Sequence, residues 1–306
     1  MSPAEPRGAA AAGPFGCRST DASTPESPNS GSSTSERSAS DADAAVPAAG
    51  SGMAAALRCL RLTLAYDGSN YFGWQRQPDQ PTVQAAVEAA LCQVTGDTRL
   101  SVLASSRTDT GVHALGQSAV FTTARWPAAA ERLPFALNTK LPRDIVARQA
   151  VEVPLGFNPL RESTGKRYRY QIYAARKADP IHAGTHWWVR RPVQLERMQQ
   201  AATRLVGRHD FTSFQTMGSP RSSTIREVRE LRVAAREHMD GLLLTVDIEA
   251  NGFLYNMVRN IAGTLVQVGV GREKPEWIED VLRAKDRRVA GQTAPPQGLF
   301  LVEVKY

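Results

Sequence analysis

Ser105-Ser106-Arg107-Thr108-Asp109-Thr110-Gly111-Val112-His113-Ala114 gathers a carboxylate, a guanidinium, hydroxyls, an imidazole and a glycine into ten residues. An apolar run (Leu100 to Ala104) precedes it and a β-type run (Ser118 to Thr122) follows. A polar turn between two strands presents its side chains at the mouth of a sheet, where reactive residues are often carried. Asp109 is the candidate nucleophile or base. In a partly desolvated cleft such a group must stay ionised, and a neighbouring guanidinium lowers a carboxylate pKa by about 1–3 units. Two guanidinium candidates exist, Arg107 and Arg259, the latter in Met257-Val258-Arg259-Asn260. The same residues also suit an ordinary turn, with Asp and Thr bonding nearby backbone and Gly111 supplying a positive φ. Arg259 would then be a solvated helix residue.

Tyr168 and Tyr170 alternate with Arg167 and Arg169. On a strand the two tyrosines share one face and the two arginines the other. Tyrosines in that setting either pack a sheet or stack on a base, the latter worth roughly 1–3 kcal/mol per base. Lys166, Arg167 and Arg169 suit phosphates, or form a solvated strand face. His113 has no Cys or acidic partner at ligand spacing, so a hydrogen-bonded turn histidine or an RNA contact is expected there, not a metal ligand. The chain has no phosphate-cradling Gly loop, dinucleotide fingerprint, His-Glu-x-x-His or Gly-x-Ser-x-Gly. Chemistry built on these residues needs neither nucleotide nor metal.

The elements that must carry these groups follow from periodicity. Leu60, Leu62, Leu64 and Tyr66 alternate as a strand with one buried face. It runs into the turn Asp67-Gly68-Ser69-Asn70 and then into Tyr71-Phe72-Gly73-Trp74-Gln75-Arg76-Gln77, which mixes aromatic with polar and basic groups. Thr82 caps a helix bearing Val83, Val87, Ala90, Leu91 and Val94, with Gly96 past its end. Strands over 100–104 and 118–122 flank the polar turn, so the first unit reads β-α-β-β. A short helix within 125–142 and a strand over 144–153 follow. Next come the tyrosine strand, a helix over 195–206, and a hairpin of 231–233 with 242–248 around Asp240-Gly241. Helical spacing at Met257, Val258, Ile261, Leu265 and Val268, a shorter helix at Trp277 to Leu282, and a closing strand at 299–306 complete a second unit of similar flavour.

Composition divides the chain. Residues 1–56 are Ala, Ser, Gly and Pro with almost no large apolar residue, and cannot bury enough surface to offset ordering entropy, so a disordered low-complexity tail is expected. That tail holds three basic and six acidic residues, so the formal +7 of the chain rests on a remainder of +10. Such a charge on roughly 250 residues suits a polyanionic partner, nucleic acid first, and equally a merely basic soluble protein. Cys17, Cys59 and Cys92 have neither metal-ligand nor redox spacing and read as thiols of a reducing compartment. No apolar run approaches a membrane span, and the N-terminus lacks the pattern of a secretory signal. A cytoplasmic protein is expected. Met53, just before the folded part, leaves a later translation start open.

Ser106 to Ala114 resembles the G-R-T-D-A-G-V-H signature of the tRNA pseudouridine synthase A family. Further matches occur in the same order. Tyr66-Asp67-Gly68 and Tyr71 to Gln77 are similar to the family's first strand and loop. Lys166 to Tyr170 is similar to its tyrosine strand, and His209-Asp210-Phe211-Thr212-Ser213-Phe214 to its D-F-T-S-F segment. Asn251-Gly252-Phe253-Leu254 with Met257 to Gly263 resembles the F-L-x-x-M-V-R-N-I-x-G block, and Gly298 to Leu301 the closing strand. The resemblance covers Leu57 to Tyr306. Ser106 replaces the usual Gly, Thr110 replaces the usual Ala, and in Phe157-Asn158-Pro159-Leu160-Arg161-Glu162 an arginine is displaced by one position or replaced by Leu160.

The resemblance implies an α+β pseudouridine synthase fold. Two ferredoxin-like halves, 57–160 and 161–306, join through a mixed, mostly antiparallel sheet with a basic central cleft. It implies isomerisation of uridine to pseudouridine at positions 38, 39 and 40 in the anticodon stem-loop of tRNA, by a homodimer without a cofactor. Asp109 is then the nucleophile or base, Tyr168 stacks on the target uracil, and Arg259 keeps Asp109 ionised and oriented. Arg107 assists that pair or grips the displaced nucleotide, while His113, Arg167, Gln75 and Arg76 are further substrate contacts. Attack on the ring, attack on C1′ and removal of the 2′-proton all stay open. So do two other readings: a non-catalytic tRNA-binding protein or chaperone, and a pseudouridine synthase acting on other RNA sites.

Overall fold

The computed structural model of the protein describes residues 56–216 and 223–306. The low-complexity tail expected over 1–56 lies, apart from Ala56, outside the described residues. The alternating Leu60, Leu62 and Leu64 form β1 (Arg58–Tyr66), with all three leucines fully buried and Arg61 and Thr63 on the other face. The Thr82 side chain accepts the Ala85 amide to start α1 (Val83–Thr95), and Gly96, at φ 76°, ends it. Then come β2 (Leu103–Ala104), β3 (His113–Thr123), α2 (Leu133–Asn138) and β4 (Ile145–Val153).

The second part comprises β5 (Gly165–Ala175), β6 (Trp187–Val189), α3 (Leu195–Thr203), β7 (Gly207–Asp210), β8 (Ile225–His238), β9 (Gly241–Ala250), α4 (Met257–Gly269), α5 (Trp277–Ala284) and β10 (Leu299–Lys305). Ten strands make one sheet in the order β4-β1-β3-β10-β5-β9-β8-β7, with β2 added to β3 and β6 to β5. Only β3 with β10 and β5 with β6 run parallel among the described pairs. The architecture is α+β, with a mixed and mostly antiparallel sheet.

Each part is a complete β-α-β-β-α-β unit. In the first, β4-β1-β3-β2 places the last strand beside the first; in the second, β10-β5-β9-β8 repeats that arrangement. The parallel step from β3 to β10 links them, pairing His113 with Phe300 and Ala114 with Leu301. One continuous apolar cluster runs under both, from Leu60 and Leu91 through Tyr170 and Ile172 to Ile248 and Leu265.

Several elements differ in extent from the sequence expectation. β3 begins at His113, five residues before the expected Ser118, because it pairs with β1 along its whole length, from Tyr66 opposite Ala114 to Arg58 opposite Thr123. Its polar Gln117 and Ser118 are buried, which hides the strand from a reading based on alternation. β2 shrinks to Leu103–Ala104. β8 and β9 run beyond the expected hairpin, up to the turn at Met239 and Asp240. The helix expected to reach 206 ends at Thr203, where the chain tightens into bonds from Leu205 N to Ala202 O and from Val206 N to Thr203 O, then enters β7 through Gly207 at φ 107°.

Candidate active site

The polar turn between β2 and β3 is held through the backbone of Ser105, Ser106, Thr108, Asp109 and Val112. Lys166 Nζ donates to Ser105 O at 2.6 Å, and Gln117 Nε2 to Ser106 O at 2.6 Å. The Trp74 amide donates to Thr108 O at 3.0 Å, and the Tyr66 and Thr108 hydroxyls are 2.8 Å apart. The Val112 amide closes the turn onto Asp109 O at 3.1 Å, with Gly111 at φ 75°. Gly73 sits against this backbone at φ 81°, where a Cβ would meet Thr108 O at 2.5 Å. Only glycine permits both that angle and that approach.

The fixed turn projects a carboxylate with no hydrogen bond or ion pair among the described residues, that of Asp109. It is half-buried in a cavity of about 820 Å³ whose walls include Trp74, Arg107, Lys166, Tyr168 and Phe253. Burial pushes the Asp109 pKa above the ordinary carboxylate range, and the charge of Arg259 opposes part of that rise. Here the structure corrects the expectation of a carboxylate held low by a guanidinium. Arg259, in the first turn of α4, gives its Nε proton to Ala294 O at 2.6 Å and an Nη1 proton to Asn256 Oδ1 at 2.9 Å. It therefore acts on Asp109 through its field, and desolvation is the larger effect.

Tyr168, on β5, is buried with its hydroxyl 2.9 Å from Ser106 Oγ and its ring edge-on to Phe253 at 5.0 Å. Burial, with the nearby Asp109 charge adding to it, raises its pKa to about 12, so the phenol stays protonated at neutral pH. Phe253 is a wall residue that periodicity did not single out; its place in Asn251-Gly252-Phe253-Leu254 was the available signal. Arg107 lines the cavity, is exposed, and has no side-chain hydrogen bond or ion pair among the described residues.

The remaining candidates divide. Gln75 lines the cavity and donates to Gln84 Oε1 at 2.9 Å. Arg76 points at Glu88, with Nε 2.9 Å from Oε2, and is outside the lining. Arg167 lies across β5 from Tyr168, paired with Glu230 and Glu249. His113 is also away from the cavity, buried at the start of β3 with its ring stacked on Phe300. Its Nδ1 accepts the Gly68 amide at 3.1 Å and is also 3.1 Å from Asp67 Oδ1, while Nε2 is within 3.1 Å of Gly184 O and 3.0 Å of Gln297 O. The imidazole ties three distant segments together. In the variant loop, Leu160 lines the cavity and Arg161 does not. The cationic side chains of the lining are Arg107 and Lys166, so the wall around Asp109 is more apolar and hydroxylic than basic.

Comparison with known proteins adds an independent observation. A family model described as tRNA pseudouridine synthase matches residues 63–159 and 201–306. A protein of Thermoanaerobacter sp. (strain X514) named tRNA pseudouridine synthase A is 44% identical over 250 residues, covering 82% of this chain and 100% of the relative. Proteins of the same name from Myxococcus xanthus and Moorella thermoacetica are 44% and 46% identical over 81% of this chain, and over 91% and 99% of their own lengths.

Proposed function

The chain belongs to the tRNA pseudouridine synthase family, and from that premise we propose that it isomerises uridine to pseudouridine at positions 38, 39 and 40 of the tRNA anticodon stem-loop, with Asp109 as the nucleophile. The observation that carries this reading is the Asp109 carboxylate, free of hydrogen bonds and ion pairs among the described residues and set on a rigid turn inside an 820 Å³ cavity.

The reaction breaks the N1–C1′ bond, turns the base and joins C5 to C1′; the hydrogen leaving C5 is balanced by a proton gained at N1. No electron is gained or lost. A carboxylate with a raised pKa is more basic and less solvated than one in water, which favours covalent or proton-abstracting work by its ionised form. The Arg259 charge opposes the rise and so favours the ionised form of the nucleophile. Tyr168 offers a ring face at the cavity and a neutral phenol. Its high pKa makes it a hydrogen-bond donor and a stacking partner in preference to a base. Gln75 and Arg107 line the same cavity and suit the flanking nucleotide. Extracting a base from its stack costs a few kcal/mol, which stacking of roughly 1–3 kcal/mol per base offsets in part. Arg167, Arg76 and His113 serve on this reading as supports: the first two pair with glutamates, and the third holds segments together.

The enzyme works as a homodimer in the cytoplasm on this proposal. No helix among the described residues is long and apolar enough to cross a membrane. The test is tritium release from C5-labelled uridine in unmodified tRNA. Wild type releases the label and Asp109→Asn does not, while both bind tRNA. Binding without release by wild type overturns the reading.

A further inference from the structure

Asp179-Pro180-Ile181-His182 lies in the loop between β5 and β6 and attracts no notice as a sequence, because its third partner, His238, is at the far end of β8. We propose that Asp179, His182 and His238 form a site for a divalent transition metal of the zinc class, bound by two imidazoles and one carboxylate, that clips the β5–β6 loop to the β8–β9 hairpin.

The three donor atoms lie within 4.8 Å of one another. His182 Nδ1 is 2.6 Å and His238 Nε2 3.0 Å from the same oxygen, Asp179 Oδ2. In a tetrahedral zinc site, bonds of about 2.0–2.1 Å put neighbouring donors roughly 3.3 Å apart, so an ion needs the two contacts to Asp179 Oδ2 to open by less than about 1 Å. The carboxylate is oriented before any ion arrives. Its other oxygen, Oδ1, accepts the Ile181 amide at 2.9 Å, and the His182 amide donates to Asp179 O at 3.2 Å, which brings residues three apart to one side of a turn. Outer contacts of this kind are what fix the ligands of real sites.

The surroundings fit the same role. The Asp179 side chain is only 4% exposed. The ring of Tyr173 packs on both imidazoles, at 6.2 Å from His182 and 5.8 Å from His238, and its hydroxyl is held by Asp240 on the hairpin turn. A third imidazole, His186, stands edge-on to His182 at 4.6 Å. Two nitrogens and one oxygen select zinc, cobalt or nickel over magnesium or calcium, which take oxygen ligands. The competing arrangement is an ion triad with protons in place of the metal, in which both imidazoles donate to Asp179.

An ion here would also reach toward the catalytic turn. The same loop supplies Gly184 O, one of the two carbonyls facing His113 Nε2, and His113 opens the strand that follows Asp109. None of the three ligands lines the cavity, so the metal would position and not react.

The full chain, stripped with a chelator and dialysed, is titrated at neutral pH with Zn²⁺ by calorimetry and with Co²⁺ by visible absorption. One zinc ion per chain is expected, together with the intense d–d bands of a low-coordinate cobalt site. Asp179→Asn and His238→Gln should each weaken binding by more than about tenfold and abolish those bands. His209→Gln, at a half-buried histidine outside the cluster, should leave both unchanged. Circular dichroism establishes that each variant is folded. Absence of zinc binding by folded wild type, or equal binding by wild type and Asp179→Asn, overturns the proposal and leaves the proton-bridged triad.

Discussion

The hydroxyl of Tyr168 and Oγ of Ser106 are 2.9 Å apart, so β5 in the second unit is bonded to the turn that carries Asp109 in the first. Ser106 occupies a position where the family signature usually has glycine, and here it gains a partner. Tyr168→Phe keeps the ring and its contact with Phe253 but loses this bond. The variant should lose about 0.5–1.5 kcal/mol of stability in urea denaturation and retain most of its turnover. Tyr168→Leu, which removes the stacking face, should lower kcat at least about a hundredfold, comparable to the loss of a positioned catalytic group. If Phe is as poor as Leu, the phenol itself takes part in the reaction.

Asp109→Asn should lower kcat for tritium release by about 10⁴-fold or more, the scale of removing a nucleophile, with tRNA affinity retained in a gel-shift titration. Its stability should move the other way. The folded-state pKa of Asp109 is raised, so the folded protein favours the protonated form. The contribution of this group to stability is fully present below the ordinary carboxylate pKa and is lost as pH rises through the raised value. At neutral pH the wild type therefore bears that cost and Asp109→Asn does not. A melting temperature for the variant at or above that of wild type is expected; a clear drop would contradict the assignment of desolvation as the dominant effect.

Arg259→Gln removes the positive charge that opposes the rise in the Asp109 pKa. The acid limb of the kcat/KM profile should then move to higher pH, because a larger fraction of Asp109 is protonated at each pH. Arg259→Lys should move it less. A profile that falls uniformly without shifting would mean that Arg259 serves only to hold Ala294 and Asn256.

Gly73→Ala places a Cβ 2.5 Å from Thr108 O at a φ of 81°. Backbone strain and overlap together should cost about 1–3 kcal/mol in denaturant unfolding. The only relief is movement of the Thr108–Asp109 backbone, so kcat should fall more steeply than tRNA affinity. A variant that is destabilised yet turns over normally would show that the turn tolerates displacement.

The parts of this molecule that a linear reading reaches are those governed by near neighbours. Alternation revealed β1, a cap and a glycine delimited α1, and helical spacing revealed α4. Asp109 and Tyr168 stand out because their residue types occur in a recognisable order, and the structure places both at one cavity. What escaped depends on distant chain. The sequence allows His113 to be a hydrogen-bonded turn histidine or a substrate contact, and only the fold brings Gly68, Gly184 and Gln297 to its ring. Arg167 reads in sequence as a phosphate contact or part of a solvated strand face, and its partners Glu230 and Glu249 come from β8 and β9. The balance at Asp109 is only half legible, because a candidate guanidinium is visible in a sequence, whereas the loss of water around a carboxylate is a property of the assembled cavity.

β10 lies in the middle of the sheet, between β3 and β5, yet it is the last of the ten strands in chain order. During synthesis, the facing edges of β3 and β5 stay open until residues 299–305 have emerged, displaying unpaired amides and carbonyls to any other nascent chain. The Gln297 carbonyl that meets His113 arrives at the same late moment. A ribosome that stalls before this strand would release two unjoined sheets with sticky edges and an incomplete setting for Asp109. The arrangement ties the appearance of catalytic competence to the emergence of β10, so a product truncated ahead of that strand is a target for proteolysis before it is a modifier of RNA.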